Sequence, residues 1–423
     1  MTRWGNWVLD SAPGLRHLLT VVAWLAVACW GAAQPGIPSP VGAARMPEPI
    51  GYTPEPNPPL VPGPLNPIIA PIGPPEHLSL PAGHTSAFQA ENYPPETAFF
   101  GHFGTVFFKR QDLRKLPIVY RDDQSAGLDT GVTPFGPLPV ELRLNNVDLE
   151  YNYGLKATVG YIFGNQQIEL TGFYSPNRSL SQTITNQPNL QGRLFVPFGP
   201  EGIFPLGFEG DNGLWNQADL VTVTYTSALG SAELNYQVWD GAVNTGHLIV
   251  GTRYLYIQDR VNIFTDDDYY VRDVFNRSDP IRQASYSAAV RNNIVAMQVG
   301  GEWSTPLPHY KLGWIWLSLM AKTGLGVDWI ERTRRLERGD GFPGFDLTQN
   351  SVRLAGFGDV SAFVDFHLME RIRLRTGYTA LYVVGVSTAV NQIEFDLTNQ
   401  QRRYTDRRGV LWHGPMAELQ FLF

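Results

Sequence analysis

The chain has 423 residues and a formal net charge of −7; 17% of residues are charged, 12% are aromatic and 42 are glycine. Soluble domains carry about a quarter charged residues and nucleic-acid binding needs a basic face, so this composition excludes a nucleic-acid partner and sits poorly with an ordinary soluble domain. Mean hydropathy is mildly polar, which excludes a bundle of membrane helices but not a β-barrel, whose strands alternate lipid-facing and lumen-facing residues.

At the N-terminus, Arg3, Arg16 and His17 precede an apolar run from Leu18 to Trp30, closed by Gly31, Ala32 and Ala33. A basic region, a short apolar region and a small-residue end read as a secretory signal peptide over residues 1–33, cleaved near Ala33. The run is short for a helical span of roughly 20 residues. Cys29 is the only cysteine, so cleavage leaves a chain without thiols. The rival reading is a lipidated Cys29 behind Ala26-Val27-Ala28.

Residues 34–97 follow as a tether. Residues 34–95 hold 18 of the 33 prolines. Proline fixes φ and removes a backbone donor, so the stretch reads as an extended, largely disordered periplasmic spacer. Peptidoglycan is the partner such a tether would have, although no motif marks it.

From residue 98 to residue 423 the pattern has period two. Val147, Leu149, Tyr151, Tyr153, Leu155, Ala157, Val159 and Tyr161 alternate with Asp148, Glu150, Asn152, Gly154, Lys156, Thr158 and Gly160. A strand that long suggests a barrel wall, since ordinary strands run about 5–6 residues. Similar alternation recurs around 166–175, 292–304, 352–367 and 371–386. Only helices and closed barrels satisfy their backbone in lipid. The expected fold is therefore all-β: an antiparallel up-and-down transmembrane β-barrel with long extracellular loops and short periplasmic turns. Eleven segments alternate, but the apolar phase slips between Val221-Val223-Tyr225 and Ala232-Leu234-Tyr236-Val238. A bulge at Gly230 would merge the two pieces into one strand. Ten strands is the expected count, with twelve as the alternative.

The chain ends in Leu419-Gln420-Phe421-Leu422-Phe423. A terminal aromatic closing an alternating strand resembles the signal read by the β-barrel assembly machinery. Leu419, Phe421 and Phe423 would carry it.

Four segments resemble the BBP-type outer-membrane porin family of planctomycete bacteria. They are Gly251-Thr252-Arg253-Tyr254-Leu255, Ala232-Glu233-Leu234-Asn235, Arg375-Thr376-Gly377-Tyr378-Thr379-Ala380-Leu381-Tyr382 and Val390-Asn391-Gln392-Ile393. The resemblance covers about residues 98–423. An acidic residue often follows the Arg-Tyr-Leu segment in that family; here Asp259 comes after Gln258, a loose match. The resemblance implies an outer-membrane barrel and says little about a solute.

The charged candidates for the lumen are Asp359, Asp365 and His367 before a tight turn, and Arg371, Arg373 and Arg375 after it. If Phe366 and Ile372 share the lipid face, Asp365 lies opposite Arg373 and His367 opposite Arg371. On an earlier strand Asp148, Glu150 and Lys156 join them. Such rows read first as a structural ladder, and second as a selective charge ring. The run Glu331-Arg332-Thr333-Arg334-Arg335-Leu336-Glu337-Arg338 is expected in an outer loop. Trp303, Trp314, Trp316, Trp329, Tyr161, Tyr174 and Tyr254 read as interfacial girdles.

A barrel enzyme would need a pair such as His367 with Ser361 or Ser318, and sequence offers no geometry for it. No motif for a metal or another cofactor occurs; Asp266-Asp267-Asp268 lacks EF-hand spacing. The expectation is a non-enzymatic outer-membrane barrel, surrounded by outer-membrane lipid, giving small solutes porin-like passage. The alternative is a plugged structural or surface-recognition barrel. A lipid-active enzyme is a distant third.

Overall fold

Alternating residues become strands wherever the backbone finds a neighbour on both sides, and closure removes the last unpaired edge. The computed structural model describes residues 97–111, 116–122, 140–144, 147, 150–186, 193–196, 215–239, 246–267, 279–307, 315–369, 371–395 and 408–423. The signal peptide and the proline-rich tether expected before Thr97 lie outside the described residues. The strands in chain order are β1 (Thr97–Gln111), β2 (Pro117–Asp122), β3 (Val140–Arg143), β4 (Asn152–Phe163), β5 (Gln166–Thr185), β6 (Arg193–Phe195), β7 (Asn216–Ala218), β8 (Leu220–Trp239), β9 (Gly246–Asp266), β10 (Gln283–Pro306), β11 (Ile315–Arg338), β12 (Phe345–Met369), β13 (Ile372–Val386) and β14 (Arg408–Leu422).

Ten of them close an antiparallel barrel in the order β1-β14-β13-β12-β11-β10-β9-β8-β5-β4, and β4 returns to β1. Closure is made by Phe100 opposite Leu422 on one side of β1 and Gly160 on the other. The count is ten, not twelve. Both ends of the barrel chain lie at the short-turn end, where the Phe423 N–H donates to the Phe99 carbonyl at 2.8 Å. Gly164, at φ +60°, makes the two-residue turn from β4 to β5, a conformation that costs a glycine little.

The merging of two segments into β8 holds, but the reason differs from the expected bulge at Gly230. The β8–β9 register runs without a break from Leu220 opposite Asp266 to Trp239 opposite His247. The irregularity lies on β5, between Ser175 and Arg178, at Pro176-Asn177. Proline has no N–H for the ladder, so a bulge is its natural place in a sheet.

What changes along β8 is the environment of its two faces. Val221, Val223, Tyr225, Ser231, Glu233, Asn235 and Gln237 all point inward and are buried. Towards the long-loop end the inward side chains are apolar and the outward ones are Thr222, Thr224 and Thr226. Towards the short-turn end the inward side chains are polar and Leu234 and Tyr236 face out, both exposed. The apolar phase slips because the strand leaves lipid, not because the chain re-registers.

The same inversion occurs on neighbouring strands. Outward residues of β10 change from Ser285, Ser287 and Arg291 to Val295, Met297, Val299 and Trp303, and those of β12 change from Thr348 and Asn350 to Val352 and Leu354. Leu325 is 78% exposed and Leu354 75%, and a continuous belt of such residues on a water-facing wall would be an aggregation surface. The belt is the membrane-spanning zone. An apolar band about 25 Å tall takes roughly 9–11 tilted residues per strand. The 24 residues of β10 cross it and project as far again into water.

This projection explains why several strands outrun their expected ends. The run Glu331–Arg338 is not a loop but the upper part of β11, joined to β12 by a short connection. Conversely, the alternation from Val147 does not all belong to one wall strand. Val147 is buried in a cap, and the strand begins at Asn152.

The cap is a small sheet of order β3-β2-β6-β7, built from what read as two long loops. Ile118, Val119, Leu142, Leu194 and Trp215 pack against Val221, Val223, Tyr225, Val261, Ile263 and Tyr286 of the inner wall. Near the end of β13 the register with β14 shifts at Gly385, φ +85°, where a Cβ would stand 2.7 Å from the Leu354 carbonyl oxygen, and the chain leaves the wall after Val386. Residues 387–393 then run buried inside the mouth, with Ala389, Val390 and Ile393 in the same apolar cluster.

Candidate functional site: the barrel interior

Inward positions of neighbouring strands meet across the lumen, so chemistry is set by residues far apart in sequence. Nearest the short-turn end lies a polar chamber. Arg375 donates to Asp365 at 2.7 Å and to Glu302 at 2.7 Å, with its guanidinium 4.6 Å from the centre of the Phe363 ring. Lys156 pairs with Glu418 at 2.7 Å. Glu233 lies between Lys322 at 2.7 Å and Arg253 at 3.4 Å, and accepts from Gln298 at 3.0 Å. Arg253 reaches across the lumen to Asp359 at 2.7 Å and sits over the Phe357 ring at 4.9 Å. A cavity of about 100 Å³ remains among these groups, bounded by His102, Lys156, Glu302, Trp316 and Arg373. Buried charges persist only when paired and hydrogen-bonded, and these are.

Above the chamber is an apolar septum. Val106 and Phe108 of β1, Phe173 of β5, Leu229 of β8, Leu255 and Ile257 of β9, Ile294 of β10, Phe357 of β12, Leu381 and Val383 of β13, and Val410, Trp412 and Met416 of β14 form one contiguous cluster. Met320 of β11 packs against it. Among the described residues, nine of the ten wall strands therefore contribute, and β4 does not.

Beyond the septum, Arg110 pairs with Asp259, which also accepts from Ser227 at 3.0 Å. The Arg110 guanidinium lies 5.5 Å from the Tyr225 ring centre and 5.3 Å from that of Trp412. The inner segment is latched to the wall close by. Asn292 donates to the Ser387 carbonyl at 2.9 Å and accepts from the Ser387 N–H at 3.0 Å. Arg332 donates to the Ser387 hydroxyl at 2.9 Å. Tyr286 accepts from the Glu394 N–H at 3.1 Å and donates to the Gln392 carbonyl at 3.3 Å.

Of the residues singled out in sequence, Asp359, Asp365, Lys156, Arg373 and Arg375 point into this interior. The register between β12 and β13 differs from the expected one: Asp365 lies opposite Arg375 and His367 opposite Arg373. The expected pairing would have centred the hairpin on Met369 alone, whereas the tightest common hairpin loop takes two residues. In the structure Met369 stands opposite Ile372, with an irregularity between His367 and Met369. Arg371 is consequently exposed in the turn. His367 is partly exposed, with its ring edge-on to Trp316.

Glu150 precedes the wall strand, exposed, and accepts from Arg178 at 2.7 Å. Asp148 lies outside the described residues. Trp316 belongs to the lumen rather than the girdle: it is buried and lines the chamber, while Trp303 and Trp329 face outward near opposite edges of the belt. Ser318 donates to Asp365 at 2.7 Å and Ser361 to Thr379 at 2.8 Å, so both hydroxyls are committed. Phe423 is 72% exposed, and Leu419 also faces outward.

Glu233, Arg253, Glu302, Lys322 and Glu418 were missed. Each sits alone among apolar or small neighbours, at the inward phase of its strand. That isolation was the available signal.

No family model matches the chain, and no curated protein does. Among solved structures it is similar to the outer membrane protease OmpT from Escherichia coli, at 10% identity and a TM-score of 0.35, covering 80% of this chain and 100% of that one. It is also similar to the Pseudomonas putida toluene transporter TodX, at 8% identity and a TM-score of 0.32, covering 78% and 91%. A Pseudomonas aeruginosa FadL homologue aligns at 11% identity and a TM-score of 0.19, covering 77% and 89%. The ten-strand closure rests on this chain's own strand pairing, not on these likenesses.

Proposed function

We propose that the chain is an outer-membrane barrel with a sealed lumen, whose capped long-loop end acts as a rigid surface for recognising a partner. The observation that carries this reading is the septum, to which eight wall strands contribute buried apolar side chains and a ninth the partly buried Met320. Taking a bare charge through such a layer costs far more than any thermal fluctuation supplies. The cap and the latched inner segment add a second apolar layer above it. Export with a cleaved signal peptide, delivery by the assembly machinery through Leu419, Phe421 and Phe423, and a peptidoglycan contact through the tether complete the proposal. It assigns no catalytic role.

Porin-like passage is the second reading, favoured by the charged chamber and its cavity of about 100 Å³. A solute would then need the septum to part and the inner segment to move. Planar-bilayer recording of the refolded chain separates the two. The sealed reading expects a baseline with no channel-like steps. Sustained steps that persist at low voltage would overturn it in favour of passage.

A further inference from the structure

On the outer wall, just above the apolar belt, lies a shallow depression of about 580 Å³ spanning β8 to β12. Its floor is strand, not loop, and includes Thr226, Arg260, Asn262, Ser287, Arg291 and Glu331. Its lower edge follows from the register. Tyr256, Asn293 and Trp329 stand in one row below it, and Tyr254, Val295 and Val327 in the next row down. Acyl chains lying on Val295, Val327 and Leu354 would therefore end where the depression begins.

The charges within it are unequally committed. Arg291 pairs with Glu331 at 2.9 Å and Arg335 with Glu337 at 2.6 Å. Arg260 is exposed and has no ion-pair partner among the described residues. Beside it in register stand Thr226 on β8 and Ala289 on β10. One uncommitted guanidinium among hydroxyls suits a phosphate, which Arg binds in a planar, bidentate manner. The carboxylates of Glu331, Glu337 and Asp346 along the far side would repel a second phosphate but accept hydrogen bonds from sugar hydroxyls.

We propose that this depression seats the phosphorylated sugar headgroup of a glycolipid in the surrounding leaflet. The proposal rests on the membrane-spanning reading of the belt, and it goes further by naming the class of lipid and the residue that selects it.

The test refolds the chain into phosphatidylcholine vesicles with and without monophosphoryl lipid A, a disaccharide lipid with one phosphate. Thermal unfolding is followed by heat-modifiable gel mobility. Monophosphoryl lipid A should raise the unfolding temperature. Arg260→Gln should lose most of that gain, and Arg371→Gln, exposed at the opposite end, should keep it. No gain in the parent chain, or a full gain in Arg260→Gln, would overturn the proposal. An equal gain from phosphatidylglycerol would remove the sugar from it, and an equal gain from free inorganic phosphate would remove the lipid. Failure to insert into either vesicle would instead overturn the membrane reading, and this proposal with it.

Discussion

Glu233→Gln should destabilise the barrel by about 3–5 kcal/mol, the usual cost of removing one partner from a buried charge pair. Glu233 is the counter-charge of Lys322 and shares Arg253 with Asp359. Arg253 keeps Asp359 after the change, but Lys322 is left buried without its ion-pair partner, because Asp359, opposite it in register, is held by Arg253. The loss should therefore be carried by the lysine. Pairing the change with Lys322→Met removes the stranded charge and should recover most of the stability, since replacing a buried ion pair by apolar groups of similar volume is often neutral. Urea titration in vesicles across the double-mutant cycle measures the coupling. Two single changes that simply add would show that the lumen pairs act independently.

Val299→Arg should cost about 2–4 kcal/mol, the penalty for a cation near the bilayer midplane on a barrel's lipid face. Val299 sits mid-belt on the outer face of β10, about half exposed, opposite Val250 and Thr323. Ser287→Arg lies on the same face of the same strand, six turns of the pleat nearer the long-loop end, where the outer face is polar. It should change stability by no more than about 0.5 kcal/mol, as for an ordinary surface site. Equal sensitivity to urea at both positions would mean that β10 meets one environment along its whole length.

These two expectations mark what could be read in the sequence and what could not. Alternation in period two discloses that a strand has two unlike faces, and from that the ten-strand barrel followed. It does not disclose which face is wet. Along β8 the sign reverses between Tyr225 and Leu234, and in sequence that reversal is indistinguishable from a bulge at Gly230. For the same reason Glu331–Arg338, polar on its outward side, read as loop although it is strand.

The candidate site was legible only in part. Asp365 and Arg375 were visible because a hairpin brings them together within ten residues of chain. Arg253 and Asp359 are 106 residues apart and meet only because the lumen does. The cap and the inner segment escaped notice because short buried strands inside long connections have no periodicity to detect. Their apolar residues have partners only in the assembled mouth, as Ile118 and Val390 show.

The most direct test of the account is a cysteine scan along β8 in a Cys29→Ser background, with the chain in lipid vesicles and a membrane-impermeant maleimide outside. Cysteines at Thr222, Thr224 and Thr226 should label readily. Those at Leu234 and Tyr236 should be protected by lipid, and one at Val223 should be protected by the cap. Protection at Thr224 matching that at Leu234 would put the whole strand in the membrane and remove the projecting wall. Labelling at Leu234 as fast as at Thr224 would mean that no lipid-facing belt exists.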